Sequence, residues 1–502
     1  MIKYNSSKQV SIDEFLIPLG GRLHAENRWI KLARLIPWDE LCAVYSKKMS
    51  AKMGRRGIHP RIIIGAVIIK HMKSLSDEET IEEIRENAYM QYFLGFSEYS
   101  YEQVFTPSLF VTIRRRLGEK EFGVLMERII NTTEDVIAKQ QQSQKPKKSD
   151  KDKDNDGGNQ GHLIVDATVA PADIKFPTDL DLLNQSRQKS ESLIDQLWEG
   201  GFGKTKPRTY RQKAKADYLS LAKTRKKNKK KLRKAIGKQL RYLGRNLSTI
   251  EKMLDKKETV AFPLANVYQR SYWIIQEVYR QQKEMFDKHV HTTAYRIVSI
   301  SQPHLRPIVR GKAGKNVEFG AKLSVSLVNG LSRLHKISWE ACNESKDLIG
   351  QIEAFSSQNG YYPKYVSADQ IYGTHENRQY MKSKGIIFTG VELGRPKQLN
   401  DETRAQMKQK RKKRRERVMV EGKFGEGKRK YQLGLVKAKR SDTSESWIGS
   451  VFFVMNIAHL LRVIFLSFFE KGHFSAKILK ATVHNQIFRL DKQFIPLKLA
   501  AF

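Results

Sequence analysis

Val317-Glu-Phe-Gly-Ala-Lys-Leu-Ser-Val-Ser-Leu-Val328 is followed by Asn329-Gly330 and then by a second run from Leu334 to Trp339. The first run mixes β-branched and aliphatic residues with small ones, as a strand does. Asn-Gly after it signals a two-residue hairpin, because such a turn needs positive φ at both central positions. C-terminal to the hairpin, the pattern predicts a helix near Lys346–Phe355, a strand over Lys364-Tyr-Val-Ser-Ala-Asp369, a helix over Glu376–Lys384 and a strand over Gly385–Val391. On the N-terminal side, His162-Leu-Ile-Val-Asp166-Ala-Thr168 is another short β-branched run ending in an acid. Strands alternating with helices in this order argue for an α/β fold, a mixed sheet flanked by helices.

Between these strands, Asp179–His291 reads as helical and basic. Leu232, Ile236, Leu240, Leu243, Leu247, Ile250 and Leu254 follow three-four spacing; Pro263 breaks the pattern, and a second helix runs through Trp273 to Met285. An antiparallel helical hairpin is expected. Its approach, Lys204–Lys234, holds one acid, Asp217, amid dense Lys and Arg. Trp273 is expected in the core, with stacking on an unpaired base as the alternative.

Residues Ala25–Gly118 read as a compact all-α region. Pro60 opens the apolar helix Ile62–Ile69, Ser76-Asp-Glu-Glu79 is a capping box, and a third helix after Thr106-Pro107-Ser108 carries Arg114-Arg115-Arg116. Three short helices ending in a basic one fit either a helix-turn-helix or a bundle with a basic face. The polar stretch Lys139–Gly161 marks a boundary. The expected organisation is an N-terminal helical domain over 1–138, a linker over 139–161, an α/β domain over 162–470 with a helical insertion at about 180–292, and a tail over 471–502. Trp447–Phe469 is apolar, but Asn456, His459 and Arg462 interrupt it, so a buried core helix is expected rather than a membrane span.

The chain has 502 residues, 40% of them hydrophobic, and a net charge of +39. That is enough apolar surface for a real core, and the charge calls for a polyanionic partner, most simply nucleic acid, with anionic lipid or the ribosome as rivals. Two cysteines, Cys42 and Cys342, exclude a disulfide framework and a cysteine zinc finger, and fit a reducing cytosol. Met1-Ile-Lys-Tyr-Asn carries no apolar leader.

Two acids, Asp166 and Asp369, end predicted strands, where α/β sheets place their sites. A third, Glu421, lies in Arg417-Val-Met-Val-Glu421-Gly-Lys-Phe-Gly-Glu-Gly-Lys428. The spacing R-x3-E-x6-K puts all three of its charges on one helical face. Each strand-end acid has an alternative role as a helix cap. Converging carboxylates need a cation, and all-oxygen donors suit Mg²⁺ or Mn²⁺; two such ions suit in-line phosphoryl transfer. No nucleophilic triad, P-loop or H-E-x-x-H zinc site is visible.

With these residues the sequence resembles the DDE transposases of bacterial insertion sequences, in the group with the R-x3-E-x6-K signature. The resemblance spans most of the chain. It rests on His59-Pro-Arg61, Ser76–Glu79, Tyr92-Phe-Leu-Gly-Phe96 and Thr106–Arg114 in the helical region. In the catalytic region it rests on Val165–Thr168, Pro177–Leu183, Glu318-Phe-Gly-Ala-Lys322, Ala368–Gly373 with Asn377, and the Arg417–Lys428 helix. It implies an RNase H-like core, with Asp166, Asp369 and Glu421 as catalytic, metal-binding triad for Mg²⁺ or Mn²⁺, and Arg417 and Lys428 on DNA phosphates. It also implies hydrolysis at element ends followed by strand transfer of the 3′-hydroxyl into target DNA, in a synaptic homodimer on double-stranded DNA. A bacterial cytoplasmic, nucleoid-associated protein follows. The alternatives are a catalytically inactive DNA-binding descendant and an RNase H-like nuclease that does not join strands. Further expected DNA contacts are Arg414, Arg415, Lys412, Lys322, Arg114 and Arg115.

Two positions depart from the family pattern. Arg414 stands where related enzymes carry a tyrosine, and Ile371 where glycine is frequent. Glu426 competes with Glu421 for the third acid, but lies about 500° further round a helix, so both cannot face one site. Gly422, Gly425 and Gly427 sit poorly in a helix, by about 1 kcal/mol each, and imply either close approach of DNA or fraying. The run Arg404–Arg417 is expected to be a loop tracking phosphates.

Overall fold

The computed structural model describes residues 9–50, 57–143, 158–202, 205–226, 228–255, 262–309, 317–392, 394 and 401–471. The middle of the polar linker (144–157) and the tail beyond Lys471 lie outside the described residues. The chain divides into two compact units, Met1–Gly157 with Phe452–Phe502, and Gly158–Val451.

The first unit is all-helical: α1 (Arg28–Leu35), α2 (Trp38–Ser46), α3 (Pro60–Lys73), α4 (Asp77–Glu86), α5 (Ala88–Leu94), α6 (Leu109–Arg116) and α7 (Glu119–Ser143). The helix begun by Pro60 is buried nearly all round, which its continuous apolar run requires. Both hydrogen bonds of the Ser76 capping box form, at 2.7 and 3.1 Å. α1, α2 and α5 escape periodicity because each is only two turns long. Trp29 and Trp38 meet Phe93 at 5.1 Å between ring centroids, which ties these short helices together. Arg61 is buried beneath them, donating to the Phe93 carbonyl at 2.8 Å with its guanidinium 4.6 Å from the Trp38 ring. α7 continues to Ser143, into the stretch read as linker, because Lys-Gln-Gln-Gln favours helix.

The second unit is a mixed α/β structure around a six-stranded sheet. Its elements are β1 (His162–Pro171), α8 (Asp179–Glu199), α9 (Arg211–Ala222), α10 (Lys229–Asp255), α11 (Asn266–Asp287), β2 (Pro307–Val309), β3 (Val317–Val328), β4 (Leu331–Ser338), α12 (Leu348–Asn359), β5 (Tyr365–Ser367), α13 (His375–Ser383), β6 (Ile387–Phe388), α14 (Asp401–Arg415) and α15 (Val418–Lys430), and the first part of α16 (Ser441–Lys471), whose residues from Phe452 on belong to the first unit. Central β1 pairs antiparallel with β3 and parallel with β5; β4 and β2 pair with β3, and β6 with β5. Asn329 (φ 51°) and Gly330 (φ 81°) make the expected hairpin turn, and β4 starts at Leu331, earlier than its pattern indicated. Gly320 is required for the pairing itself: a Cβ there would lie 2.1 Å from the Ala170 carbonyl oxygen on β1.

Helices α8 to α11 leave the sheet between β1 and β2. The expected α10–α11 hairpin is incomplete, because α8 packs against both and shares their core of Leu183, Ile194, Leu243, Ile250 and Ile275. Trp273 is 55% exposed rather than core, since the buried stripe of α11 runs through its neighbour Tyr272 and Ile275. One helix among the described residues is long and apolar enough to cross a membrane, Ser441–Ile464, and 72% of its apolar window is buried inside the protein. Burial on that scale is what a core helix shows.

Candidate active site

β1 and β5 run side by side, with Ile164 paired to Ser367. Two residues beyond that pair lie Asp166, still within β1, and Asp369, past the end of β5, and the charge of Asp369 bears on Asp166. β5 ends at Ser367, and Asp369 caps the 3-10 turn Gln370–Tyr372, accepting from the Gln370 amide at 2.7 Å. Capping occupies one carboxylate oxygen and leaves the other to the exposed side.

Asp166 is nearly buried, 14% exposed, and accepts from the Ala167 amide at 2.8 Å. Burial pushes its carboxyl up to about 6; the charges of Glu344 and Asp369 add to that, while the Ala167 amide and Arg417 hold it down. The third acid arrives on α15, which packs on β1. Arg417 sits at the N-cap of α15 and bridges two acids: one guanidinium nitrogen lies 3.5 Å from Asp166 Oδ2, the other 3.0 Å from Glu421 Oε1. Lys428 lies two turns beyond Glu421 on the same face. Glu426 points elsewhere, 3.6 Å from Lys423. α15 runs unbroken through its glycines, and a Cβ at Gly422 would meet open space.

No group of three or more His, Cys, Asp or Glu side chains close enough to hold a metal ion occurs among the described residues. Arg417 lies on both Asp166 and Glu421 instead, and Asp369 is turned onto an amide. The donor chemistry still fits a hard divalent cation: all-oxygen ligands, one of them held in a high-energy anionic state by burial and by like charges.

Residues 18–116 match the family model described as Transposase domain (DUF772), and residues 366–458 match Transposase DDE domain. The two matches support an insertion-sequence DDE transposase. The DDE domain marks a metal-dependent enzyme acting on nucleic acid, of a kind that uses a divalent metal. A protein described as uncharacterized, ORF8 in the nfe locus of Rhizobium meliloti, is 27% identical over 176 residues, covering 35% of this chain and 77% of that protein. No solved structure matches.

Several cations expected on DNA sit differently in the structure. Lys322 is 15% exposed and is held by the Cys342 carbonyl at 2.6 Å and Glu344 at 2.8 Å. Arg114 makes a two-point pair with Asp77 at 3.0 and 2.7 Å, whereas Arg115 is exposed. Both inward arginine and lysine answer a nearby carboxylate that the local sequence does not announce. The run Arg404–Arg415 is helix α14, not a loop, because Lys, Arg, Gln and Met are strong helix formers. It keeps Lys412, Arg414 and Arg415 exposed.

Three residues of the candidate site carry no motif. His162, at the start of β1, bonds Glu416 through Nδ1 at 3.0 Å and the Ser367 hydroxyl through Nε2 at 2.7 Å. Glu416 also pairs with Lys413 at 2.9 Å, and Ser367 meets Thr389 at 2.8 Å. Burial and Lys413 push the imidazole below its ordinary value, against the pull of Glu416. This network joins the strands bearing Asp166 and Asp369 to the residue preceding Arg417. The third residue, Glu344, heads the 3-10 turn Glu344–Asp347 that leads into α12. Adjacency to Arg417 was a signal for Glu416; His162 and Glu344 had none.

Proposed function

We propose that this chain is a DNA transposase with an RNase H-like core, cutting at the ends of its element and joining the freed 3′-hydroxyls to target DNA. The carrying observation is Arg417 bridging Asp166 and Glu421, with Asp369 following β5, the strand that pairs parallel with β1. The antiparallel strands β4, β3 and β1 continued by the parallel β5 and β6, with short β2 added on β3 and the two aspartates near the β1–β5 pairing, favour the RNase H-like reading.

Asp166, Asp369 and Glu421 would hold the divalent cations, Mg²⁺ or Mn²⁺. Bound there, such ions supply Lewis-acid activation of water and then of the 3′-hydroxyl. The remaining steps belong to the chain. A carboxyl poised near 6 is ionised at neutral pH, so Asp166 is ready as a ligand. Arg417 neutralises the site and keeps Glu421 turned toward Asp166, and its unused donors suit the scissile phosphate. Lys428, together with Lys412, Arg414 and Arg415 along α14, forms a cationic track for the flanking backbone. The exposed Trp273 ring is available for stacking on an unpaired base. A homodimer would pair two double-stranded inverted repeats with target DNA in the bacterial cytoplasm.

The test is incubation of the full chain with its flanking inverted repeats, Mg²⁺ and a target plasmid, comparing wild type with Asp369→Ala. Joined products that vanish in the variant are expected. Cleavage without joining favours a nuclease. Equal DNA binding with no chemistry from either protein would sink the enzyme reading and leave an inactive DNA-binding descendant.

A further inference from the structure

Helix α10 has two faces, and the fold uses only one of them. Leu240, Leu243, Leu247 and Ile250 are buried in the core shared with α8 and α11. On the opposite side, Lys230, Lys234, Arg241, Arg245 and Lys252 are all exposed. At 3.6 residues per turn these five project within about 60° of one another, along about 33 Å of helix. No acid occurs between Lys229 and Ile250, and Glu251 and Asp255 close the stripe at its C-terminal end. The acids of the packed helices are engaged elsewhere. Asp217 of α9 holds Lys238 at 2.6 Å and the Tyr242 hydroxyl at 2.9 Å, and Asp195 of α8 holds Lys206 and Arg211, both at 2.9 Å. Among the described residues, the five cations therefore keep no carboxylate partner. Lys230 with Lys234, and Arg241 with Arg245, are like charges at i,i+4, which oppose the helix unless an anion lies over them.

The stripe is reinforced from α9. Tyr210, at the N-cap of that helix, has the Arg208 guanidinium 4.6 Å and the Arg245 guanidinium 4.8 Å from its ring centroid. Arg245 also donates from Nε to the Arg241 carbonyl at 3.3 Å. One ring thus holds two guanidiniums in place with donors to spare, an arrangement suited to phosphate oxygens. The face also selects among polyanions. A lipid surface needs apolar side chains that enter it, and those of α10 are buried. A single strand needs free aromatic platforms, and the Tyr210 ring already carries two arginines. A duplex offers a straight run of phosphates, and about ten base pairs of it match the stripe. The amides of α10 that could read base edges are turned inward: Gln239 donates to the Ala214 carbonyl and Asn246 to the Ser190 hydroxyl, each at 2.9 Å. A face of Lys and Arg without amides holds phosphates whatever the sequence. Element ends have a fixed sequence to be recognised, and target DNA has none.

We propose that the exposed face of α10, with Arg208 beside it, holds target DNA as a duplex by its phosphates and without regard to sequence. These cations lie on other helices than the α14–α15 track. The inference rests on the DNA-acting part of the proposed function and on none of its chemistry, so a chain that binds in this way and never cuts would cost that function and leave this face assigned.

The full chain is titrated into fluorescently labelled duplexes of equal length, one of random sequence and one carrying the inverted repeat, with anisotropy read across a range of NaCl. Two paired variants are made on α10, Arg241→Gln with Arg245→Gln and Lys234→Ala with Lys252→Ala, the second lying outside the tyrosine cluster. Lys283→Ala with Lys288→Ala on and just after α11 removes the same charge from exposed residues that pair with Asp287 and Glu284 at 2.7 and 2.8 Å. Thermal melting verifies folding. Each α10 pair is expected to weaken the random duplex at least tenfold and to lower the slope of log affinity against log salt by about 1.8, two phosphates' worth. The inverted repeat should weaken less than threefold, and the α11 pair should bind both duplexes as wild type does. A repeat weakened as much as the random duplex would put element ends on this face and overturn the target assignment. An RNA duplex of random sequence that binds more tightly than DNA, and loses more in the α10 pairs, would overturn DNA as the occupant. If both α10 pairs match the α11 control, the face is wrong and the proposed function stands. A wild-type chain that binds neither DNA duplex overturns both.

Discussion

Replacing His162 with phenylalanine tests whether the network behind the acids positions the third one. Phenylalanine keeps a ring of similar size beside Tyr365, whose ring centroid is 6.4 Å away, and removes both imidazole hydrogen bonds. The bond to Glu416 involves a carboxylate and is worth roughly 1.5–3 kcal/mol, and the bond to Ser367 roughly 0.5–1.5 kcal/mol. Glu416 retains Lys413 and Ser367 retains Thr389, so neither partner is orphaned. The lower end of the sum applies, about 2 kcal/mol. In a unit of this size that lowers Tm by roughly 4 °C.

The functional effect should exceed what that loss implies. Glu416 immediately precedes Arg417, so freeing it lets the start of α15 move against β1. A displacement of about 1 Å at a reacting centre costs up to roughly 100-fold in rate. Inverted-repeat cleavage by His162→Phe is expected to slow 10- to 100-fold at 25 °C, well below its Tm, with DNA affinity within about twofold of wild type. The pH dependence gives an independent check. The folded-state imidazole is held below its unfolded value of about 6.5, so the unfolded chain binds more protons and wild type loses stability as pH falls through that value. Phenylalanine removes this loss, and the stability gap between variant and wild type should narrow below pH 6. A variant that loses Tm as expected but cleaves at the wild-type rate would refute the positioning role.

Two further outcomes are expected. Gly422→Ala meets no neighbour, so it should stabilise α15 by up to about 1 kcal/mol; a raised Tm with DNA cleavage lost would mark a bare backbone required for DNA approach, and unchanged cleavage would remove that role. His335, hydrogen-bonded to Ser326 at 2.7 Å, is pushed down to about 4 by burial and Arg333. It folds neutral, so stability should fall by about 2.5 kcal/mol between pH 6.5 and pH 4 as the unfolded imidazole protonates. Urea titrations across that window should show a shallower decline for His335→Gln, and an identical slope would exclude His335 as a source.

The parts of this chain that could be read from sequence are those in which a short segment dictates its own conformation. Asn329-Gly330 requires positive φ twice, Ser76 and Glu79 close a capping box within one turn, and the R-x3-E-x6-K spacing is a property of one helix. What stayed hidden depends on residues far apart in the chain. Lys322 and Arg114 look like free cations until Glu344 and Asp77 are brought to them. Trp273 differs from Tyr272 by one helical step, yet whether that step points in or out is set by α8, a helix outside the hairpin the periodicity suggested. Asp369 was legible as an acid that follows a strand, but Asp166, expected at a strand end, lies within β1, which runs on to Pro171, and the two segments meet through the parallel β1–β5 pairing, which bridges some two hundred residues of intervening chain.

Arg417 links the legible and the hidden parts. Its spacing to Glu421 is written in the sequence, whereas its contact with Asp166 exists only because α15 packs on β1. Asp166 is the most strained of the three acids, being buried and facing both Asp369 and Glu344, so a cation beside it is needed before any metal arrives. A guanidinium suits that position better than an ammonium, since its planar fork can touch two carboxylates and still present further donors to a phosphate. The same side chain can then serve the resting site and the DNA-bound one, leaning on the acids in the first and turning its donors to the backbone in the second as metal takes over the neutralising charge. On this view the spacing of the motif encodes a counterion as much as a DNA contact, and Lys322 beside Glu344 repeats the device on the neighbouring strand β3.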